Sequence, residues 1–136
     1  MKIKIVKNVN EPIASQYTKI DFKSMNQVEL ATCMELDIGD SLDYVTDRYK
    51  ELENMTNKIR YGGTIIIMGT DILSISQDLM VGQLTPREGS DLLYNGKITC
   101  TTLRGIVEAL KEKGFKILRQ DIAQYKYLIV GERLKP

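Results

Sequence analysis

The run Thr64-Ile65-Ile66-Ile67-Met68 does most to limit what this chain can become. It follows Gly62-Gly63 directly and carries no charge. A short, unbroken apolar run of this kind fits a strand covered on both faces, as at the centre of a parallel sheet. Upstream, Asp40 and Ser41 are good helix caps. Leu42, Val45, Tyr49, Leu52, Met55 and Ile59 then recur at spacings of three and four, one face of an amphipathic helix. That pattern predicts a helix reaching Arg60, where a cation suits the helix dipole, with Gly62 or Gly63 as its left-handed cap. The centre therefore reads as a helix end feeding a buried strand.

The flanks supply the rest of a sheet. Met1 to Lys7 alternates apolar and charged residues and reads as a first strand. Asn8 to Ser15 is a turn-rich loop, and Tyr17 to Phe22 a second strand. Val28 to Met34 is expected as a third strand, with Leu36 to Gly39 a loop. Asp71 should cap a helix bearing Ile72, Ile75 and Leu79 and ended by Gly82. Thr85-Pro86-Arg87-Glu88 is a capping box with proline at the first helical position. Leu103, Ile106, Val107 and Leu110 mark a last helix, closed by Gly114. Phe115 to Asp121 and Tyr125 to Gly131 lie so close that only an antiparallel hairpin can join them. With no repeat and no linker, residues 1–136 read as one domain.

Charge and residue usage exclude several functions. Lys plus Arg number 19 against 18 Asp plus Glu, so no strong field draws the chain to nucleic acid or anionic lipid. The aromatics do not interleave with basic residues, and there is no clear nucleic-acid signal. The absence of histidine removes Ser-His-Asp and Cys-His catalysis and histidine-ligated zinc. The two cysteines, Cys33 and Cys100, read as reduced thiols rather than a disulfide framework. No stretch approaches the ~18 apolar residues of a membrane span, so a cytoplasmic protein without a membrane partner is expected.

The order of these elements resembles the second half of a class I S-adenosylmethionine-dependent methyltransferase. Members of that family commonly carry a helix ending in L-x-P-G-G before their fifth strand, and here the string is Ile59-Arg60-Tyr61-Gly62-Gly63. They end with a helix, a G-F turn and a hairpin. The counterparts are Leu110 to Phe115 and the strand ending Ile129-Val130-Gly131-Glu132-Arg133. The N-terminus is similar to a compact branch often encoded by phages and bacteria, in which a G-x-G-x-x-P loop leads straight to a strand ending I-D. Ile20-Asp21 matches that pattern, Val6 and Asn8 stand at the two glycine positions, and Pro12 supplies the proline one residue later than the pattern has it. The resemblance implies an α/β fold: a mostly parallel Rossmann-like sheet, a C-terminal antiparallel hairpin and helices on both faces. It implies S-adenosylmethionine as cofactor and, for a phage-encoded member, a host cytoplasm.

Candidate site residues follow from it. The family's loop and strand ends place the cofactor beside Val6, Asn8, Asp21 and Cys33, with Asp21 accepting from the ribose hydroxyls. A carboxylate suits that task because it offers two acceptors. Glycines at such a loop admit left-handed backbone and close approach of a ligand, which a valine does not. Asp71 and Tyr94 are candidates for the substrate side. Each has a plainer reading: Asp21 a turn residue, Cys33 a core thiol, Asp71 a helix cap, Tyr94 surface cover. Tyr125 and Tyr127 share a terminal strand that is a candidate homodimer contact. Two functions stand side by side: a methyltransferase whose small-molecule or macromolecular acceptor is unknown, and a non-catalytic accessory protein on the same fold.

Overall fold

The computed structural model describes residues 1–6 and 15–136. Six strands form its sheet: β1 (Lys2–Val6), β2 (Thr18–Asp21), β3 (Cys33–Gly39), β4 (Ile59–Thr70), β5 (Phe115–Ala123) and β6 (Lys126–Arg133). Four helices accompany them: α1 (Arg48–Thr56), α2 (Ile72–Met80), α3 (Pro86–Tyr94) and α4 (Leu103–Glu112). Two 3₁₀ helices, Phe22–Gln27 and Ser41–Tyr44, follow β2 and β3. The strand order is β2-β1-β3-β4-β6-β5. β2, β1, β3 and β4 pair in parallel, and β6 runs antiparallel to both its neighbours. The α/β class, the mostly parallel sheet and the C-terminal hairpin are as the sequence indicates.

One face of the sheet carries the core. Ile3, Leu36, Ile38, Ile65, Ile67 and Ile129 project from it and are fully buried. Leu52 and Met55 of α1 and Ile106, Val107 and Leu110 of α4 pack against them. Helices α1 and α4 thus cover this face. The opposite face is half-buried and carries ion pairs: Lys2 Nζ lies 3.6 Å from Glu35 Oε2, and Lys4 Nζ lies 2.8 Å from Asp37 Oδ2. α2 and α3 pack on each other, with Leu79 lying where a side chain on Gly89 would stand.

The third strand runs Cys33–Gly39, later than the Val28 to Met34 expected, and takes in the predicted loop. Cross-strand charge decides this. Lys2 pairs in register with Glu35, and Lys4 with Asp37, leaving Leu36 and Ile38 for the core. The alternation of those carboxylates with Leu36 and Ile38 outweighs the more apolar composition upstream.

The predicted long helix is also corrected. Residues 41–44 form a 3₁₀ turn, and α1 starts only after Asp47, whose side chain accepts from Lys50 N. It ends at Thr56, so Ile59 and Arg60 belong to β4, not to a helix. Gly62 and Gly63 are no helix cap. Cys33 pairs with Ile59, but Glu35 next pairs with Thr64, so Arg60 to Gly63 form a bulge in the central strand. Gly62 sits at φ +81°, a backbone region disfavoured for side chains. A Cβ on Gly63 would come within 2.8 Å of the Cys33 carbonyl oxygen. The two glycines are required, for a bulge instead of a cap.

At the other end of the sheet, Gln124 and Tyr125 have φ of 52° and 67°. Two left-handed residues in a two-residue connection are the signature of a type I′ hairpin turn. Their strain is offset locally: Asp71 N donates to Tyr125 O at 2.8 Å, and Tyr125 Oη donates to Asp78 Oδ2 at 2.6 Å.

Substituting Gly63→Ala should lower stability by about 1–3 kcal/mol, since two of the three nearest atoms are backbone carbonyl oxygens, of Cys33 and Arg60, and cannot rotate away. Urea unfolding should show this as a shifted midpoint with an unchanged slope. Gly114→Ala, with open space around it but φ +84°, should cost less.

Candidate functional site

Among the parallel strands, the chain reverses direction in the sheet at β1. From β1 it passes outward to β2, then returns across to β3 on the other side of β1. The carboxyl ends of β1 and β3 therefore flank a topological switch point, the usual ligand position in open α/β sheets. The structure has a cleft of about 670 Å³ there. Ile5 and Val6 of β1, Asp21 of β2, Ile38 and Gly39 of β3 and Met68 of β4 form its base and walls. Phe22 and Lys23 close one side, and Asp40, Ser41, Tyr44 and Val45 the other. The size suits a small-molecule ligand, and most of the lining is apolar.

The β3 wall is held rigidly. Gly39 takes φ +52°, turning the chain sharply at the strand end. Asp37 accepts from Gly39 N at 3.0 Å through Oδ1 and from Lys4 Nζ at 2.8 Å through Oδ2. One carboxylate thus fixes both the turn and a neighbouring lysine. Ser41 Oγ donates to Ile38 O at 2.5 Å, closing the turn from the other end.

Asp21 stands at the cleft's rim, exposed, at the carboxyl end of β2. Its Oδ1 accepts from Ser24 N at 2.8 Å and caps the following 3₁₀ helix. Hydrogen bonding from Ser24 is the largest influence on it and holds its carboxyl below the usual range, so it is ionised at neutral pH. Val6 lines the same cleft, with its side chain only 2% exposed. Asn8 lies outside the described residues.

The remaining candidates are elsewhere. Cys33 opens β3 instead of following a third strand, so it lies at the amino end of the sheet, away from the cleft. It is fully buried, and burial pushes its thiol up in pKa, as for an inert core cysteine. Asp71 is buried as a clasp between helices. Its Oδ2 accepts from Ser74 N at 2.8 Å and Ser74 Oγ at 2.5 Å, and its Oδ1 accepts from Leu103 N at 2.9 Å. These bonds tie the first turns of α2 and α4 together. Tyr94 is 73% exposed at the end of α3 and lines neither wall.

Sequence reasoning missed most of the β3 wall, because Leu36 to Gly39 were read as loop. The readable signal was the alternation Glu35-Leu36-Asp37-Ile38 followed by glycine. It also missed the brace behind that wall. Asp43 and Arg48 are both buried, 3.1 Å apart. Asp43 Oδ2 accepts from Thr70 N at 3.1 Å, and its carbonyl accepts from Ile98 N and Thr99 N. Arg48 Nη2 also donates to Thr99 Oγ1 at 3.0 Å. Burial is the largest influence on Asp43 and raises its pKa; the hydrogen bonds from Thr70 and Arg48 oppose it. This brace joins the Ser41–Tyr44 turn, the start of α1, the end of β4 and the segment before α4.

No protein-family model matches the chain, and no curated protein matches it by sequence. Solved structures do match by fold. An O-methyltransferase family protein from Burkholderia thailandensis superposes with a TM-score of 0.60 at 10% identity, over 88% of this chain and 36% of that one. A putative S-adenosylmethionine-dependent methyltransferase from Listeria monocytogenes gives 0.63 at 11% identity, over 92% and 73%. PigF with SAH gives 0.54 at 21% identity, over 87% and 39%. The fold is that of S-adenosylmethionine-dependent methyltransferases, and the chain spans between about a third and three quarters of the length of these three.

Removing Arg48 should be costly. Arg48→Ala leaves Asp43 buried without its cation and should cost about 3–5 kcal/mol, measured by denaturant unfolding. Asp71→Ala should lower stability by about 1–3 kcal/mol through the lost clasp, in the same assay.

Proposed function

We propose that the cleft at the carboxyl ends of β1, β2 and β3 binds S-adenosylmethionine and that the chain is a compact methyltransferase of phage or bacterial type. The observation carrying this reading is the coincidence of three things at one place. The crevice lies where the strand order reverses, an ionised carboxylate stands on the second strand's end, and the fold is shared with S-adenosylmethionine-dependent enzymes.

The residues suit the ligand. Asp21 is an exposed anion able to accept from two vicinal hydroxyls while keeping its bond from Ser24. Phe22, Val45 and Met68 offer apolar surface to a purine ring. Asp21 and Asp40 put two carboxylates on the lining beside the cations Lys4 and Lys23, a mixed-charge surface suited to a zwitterionic ligand. When bound, the cofactor supplies an electrophilic methyl group. The chain's part is to orient that group and exclude water, and the turn pinned by Asp37 and Ser41 provides a preorganised wall for it. The methyl acceptor is a small molecule or a macromolecule reaching the same edge.

One observation favours a second reading, an accessory protein on the same fold. Val6 places a branched, buried side chain where the resemblance calls for glycine. An isopropyl group there narrows the approach of any ligand backbone to β1.

Calorimetric titration with S-adenosylhomocysteine separates the two. The wild-type chain should bind, and Asp21→Ala should weaken binding by about tenfold or more, the loss of charged hydrogen bonds. Val6→Gly should strengthen it. Absence of binding at millimolar ligand in both wild type and Val6→Gly would overturn the enzyme reading and leave the accessory one.

A further inference from the structure

Tyr127 is the bulkiest of the fully buried side chains, and it carries a hydroxyl into the core. Among the described residues, that Oη atom is buried without a hydrogen-bond partner. The ladder between β4 and β6 sets Tyr127 opposite Gly69. A Cβ on Gly69 would collide with Oη and the adjoining ring carbons, so the end of the phenol lies over that glycine. The next residue, Thr70, donates its N–H to Asp43 Oδ2 at 3.1 Å. The hydroxyl and the Asp43–Arg48 pair therefore meet at the same end of β4.

Arg48 has the same deficiency. Its side chain is buried, and Nη2 carries two bonds, to Asp43 Oδ1 at 3.1 Å and Thr99 Oγ1 at 3.0 Å. Nε and Nη1 are buried and carry none among the described residues. Three polar atoms of two side chains are thus sealed from bulk solvent without a protein partner. Each such atom loses its hydration uncompensated, which is why buried polar atoms are nearly always paired, with protein or with ordered solvent. The two side chains also sense each other. Burial does most to raise the pKa of the Tyr127 hydroxyl, the Asp43 carboxylate raises it further, and the Arg48 guanidinium opposes both.

Chemistry decides what can join them. A guanidinium only donates, whereas a phenol both donates and accepts. The missing partner must accept from Arg48 and bond to Oη. A cation is excluded by the guanidinium. An anion would accept from both groups, but the charge of Arg48 is already matched by Asp43, whose carboxylate would repel it. Water brings no charge, accepts from the guanidinium and can give a proton to the phenol oxygen. Asp43, Thr99 and the two orphaned groups make the surroundings polar enough for the roughly three bonds of a buried water.

We infer that one ordered water molecule sits between Arg48 and Tyr127, accepting from the guanidinium and hydrogen-bonded to the phenol Oη. It carries the brace across β4 to β6, and so links the parallel and antiparallel parts of the sheet. It is independent of what the cleft binds.

A crystal structure of the full chain that resolves solvent tests this directly. A water peak should lie within ~3.2 Å of both Tyr127 Oη and Arg48 Nε or Nη1. In solution, oxygen-17 magnetic relaxation dispersion should count about one fewer long-lived water in Tyr127→Phe than in the wild type. That substitution removes only the oxygen and keeps the ring, and circular dichroism checks that the variant is folded. Density that brings Oη directly onto Arg48 or Asp43, with no solvent peak between, would overturn the inference. So would an unchanged dispersion in Tyr127→Phe. Bromide soaked into the crystal and found at this position by its anomalous scattering would also overturn it, since the site would then take an anion.

Discussion

β4 is held by hydrogen bonds on both sides, parallel to β3 and antiparallel to β6, and the carboxyl edge of the sheet takes its shape from that. Its inward residues Ile65 and Ile67 are fully buried against the helix layer. Each isoleucine buried in this way stabilises by about 1.5–3 kcal/mol. The amino end of the strand absorbs an irregularity at Arg60 to Gly63, so the upper part can stay in register. The carboxyl end delivers Met68 to the cleft and Thr70 N to the Asp43 carboxylate. Movement of this strand would disturb the core, the cleft and the brace together.

The brace shows how burial and polarity are reconciled there. Asp43 and Arg48 are charged groups in a place where an isolated charge is very unfavourable. Asp43 is matched by Arg48 and Thr70 N, and Arg48 Nη2 by Asp43 and Thr99 Oγ1, while Arg48 Nε and Nη1 are buried with no hydrogen-bond partner among the described residues. Such a pair contributes little net stability against a well-packed apolar alternative. Its directionality is what matters: two oxygens and one guanidinium fix where four segments meet, just behind the cleft wall at Tyr44 and Val45.

Much of the fold was legible because it rests on local chemistry. The caps at Asp71 and Thr85, the α4 periodicity and the final strand pair depend on neighbours in sequence, and all form where expected. The errors fell where distant pairing decides. β3 follows the lysines of β1, and the glycine pair bends a strand instead of ending a helix. The Gln124-Tyr125 turn carries no glycine, and its left-handed backbone is held by α2, far away in sequence. For the site, the carboxylate at Asp21 was readable from strand length and a family pattern. Its cleft partners across the switch point were not, because they depended on the misplaced third strand. Cys33 shows the same dependence: moving that strand by five residues at its start carried the thiol from one end of the sheet to the other.

The ion pairs of Lys2 with Glu35 and Lys4 with Asp37 have a consequence for assembly of the sheet. Side chains alternate between faces with a period of two, so sliding one strand by a single residue exchanges its inner and outer sets. For β3 that slip would turn Glu35 and Asp37 toward the helices and Leu36 and Ile38 toward water. The desolvation of two carboxylates would far exceed any backbone hydrogen bonds retained. A one-residue slip between the two strands is therefore excluded by charge. Because the cleft opens at the ends of these same strands, their alignment also sets where Val6 and Gly39 stand relative to each other.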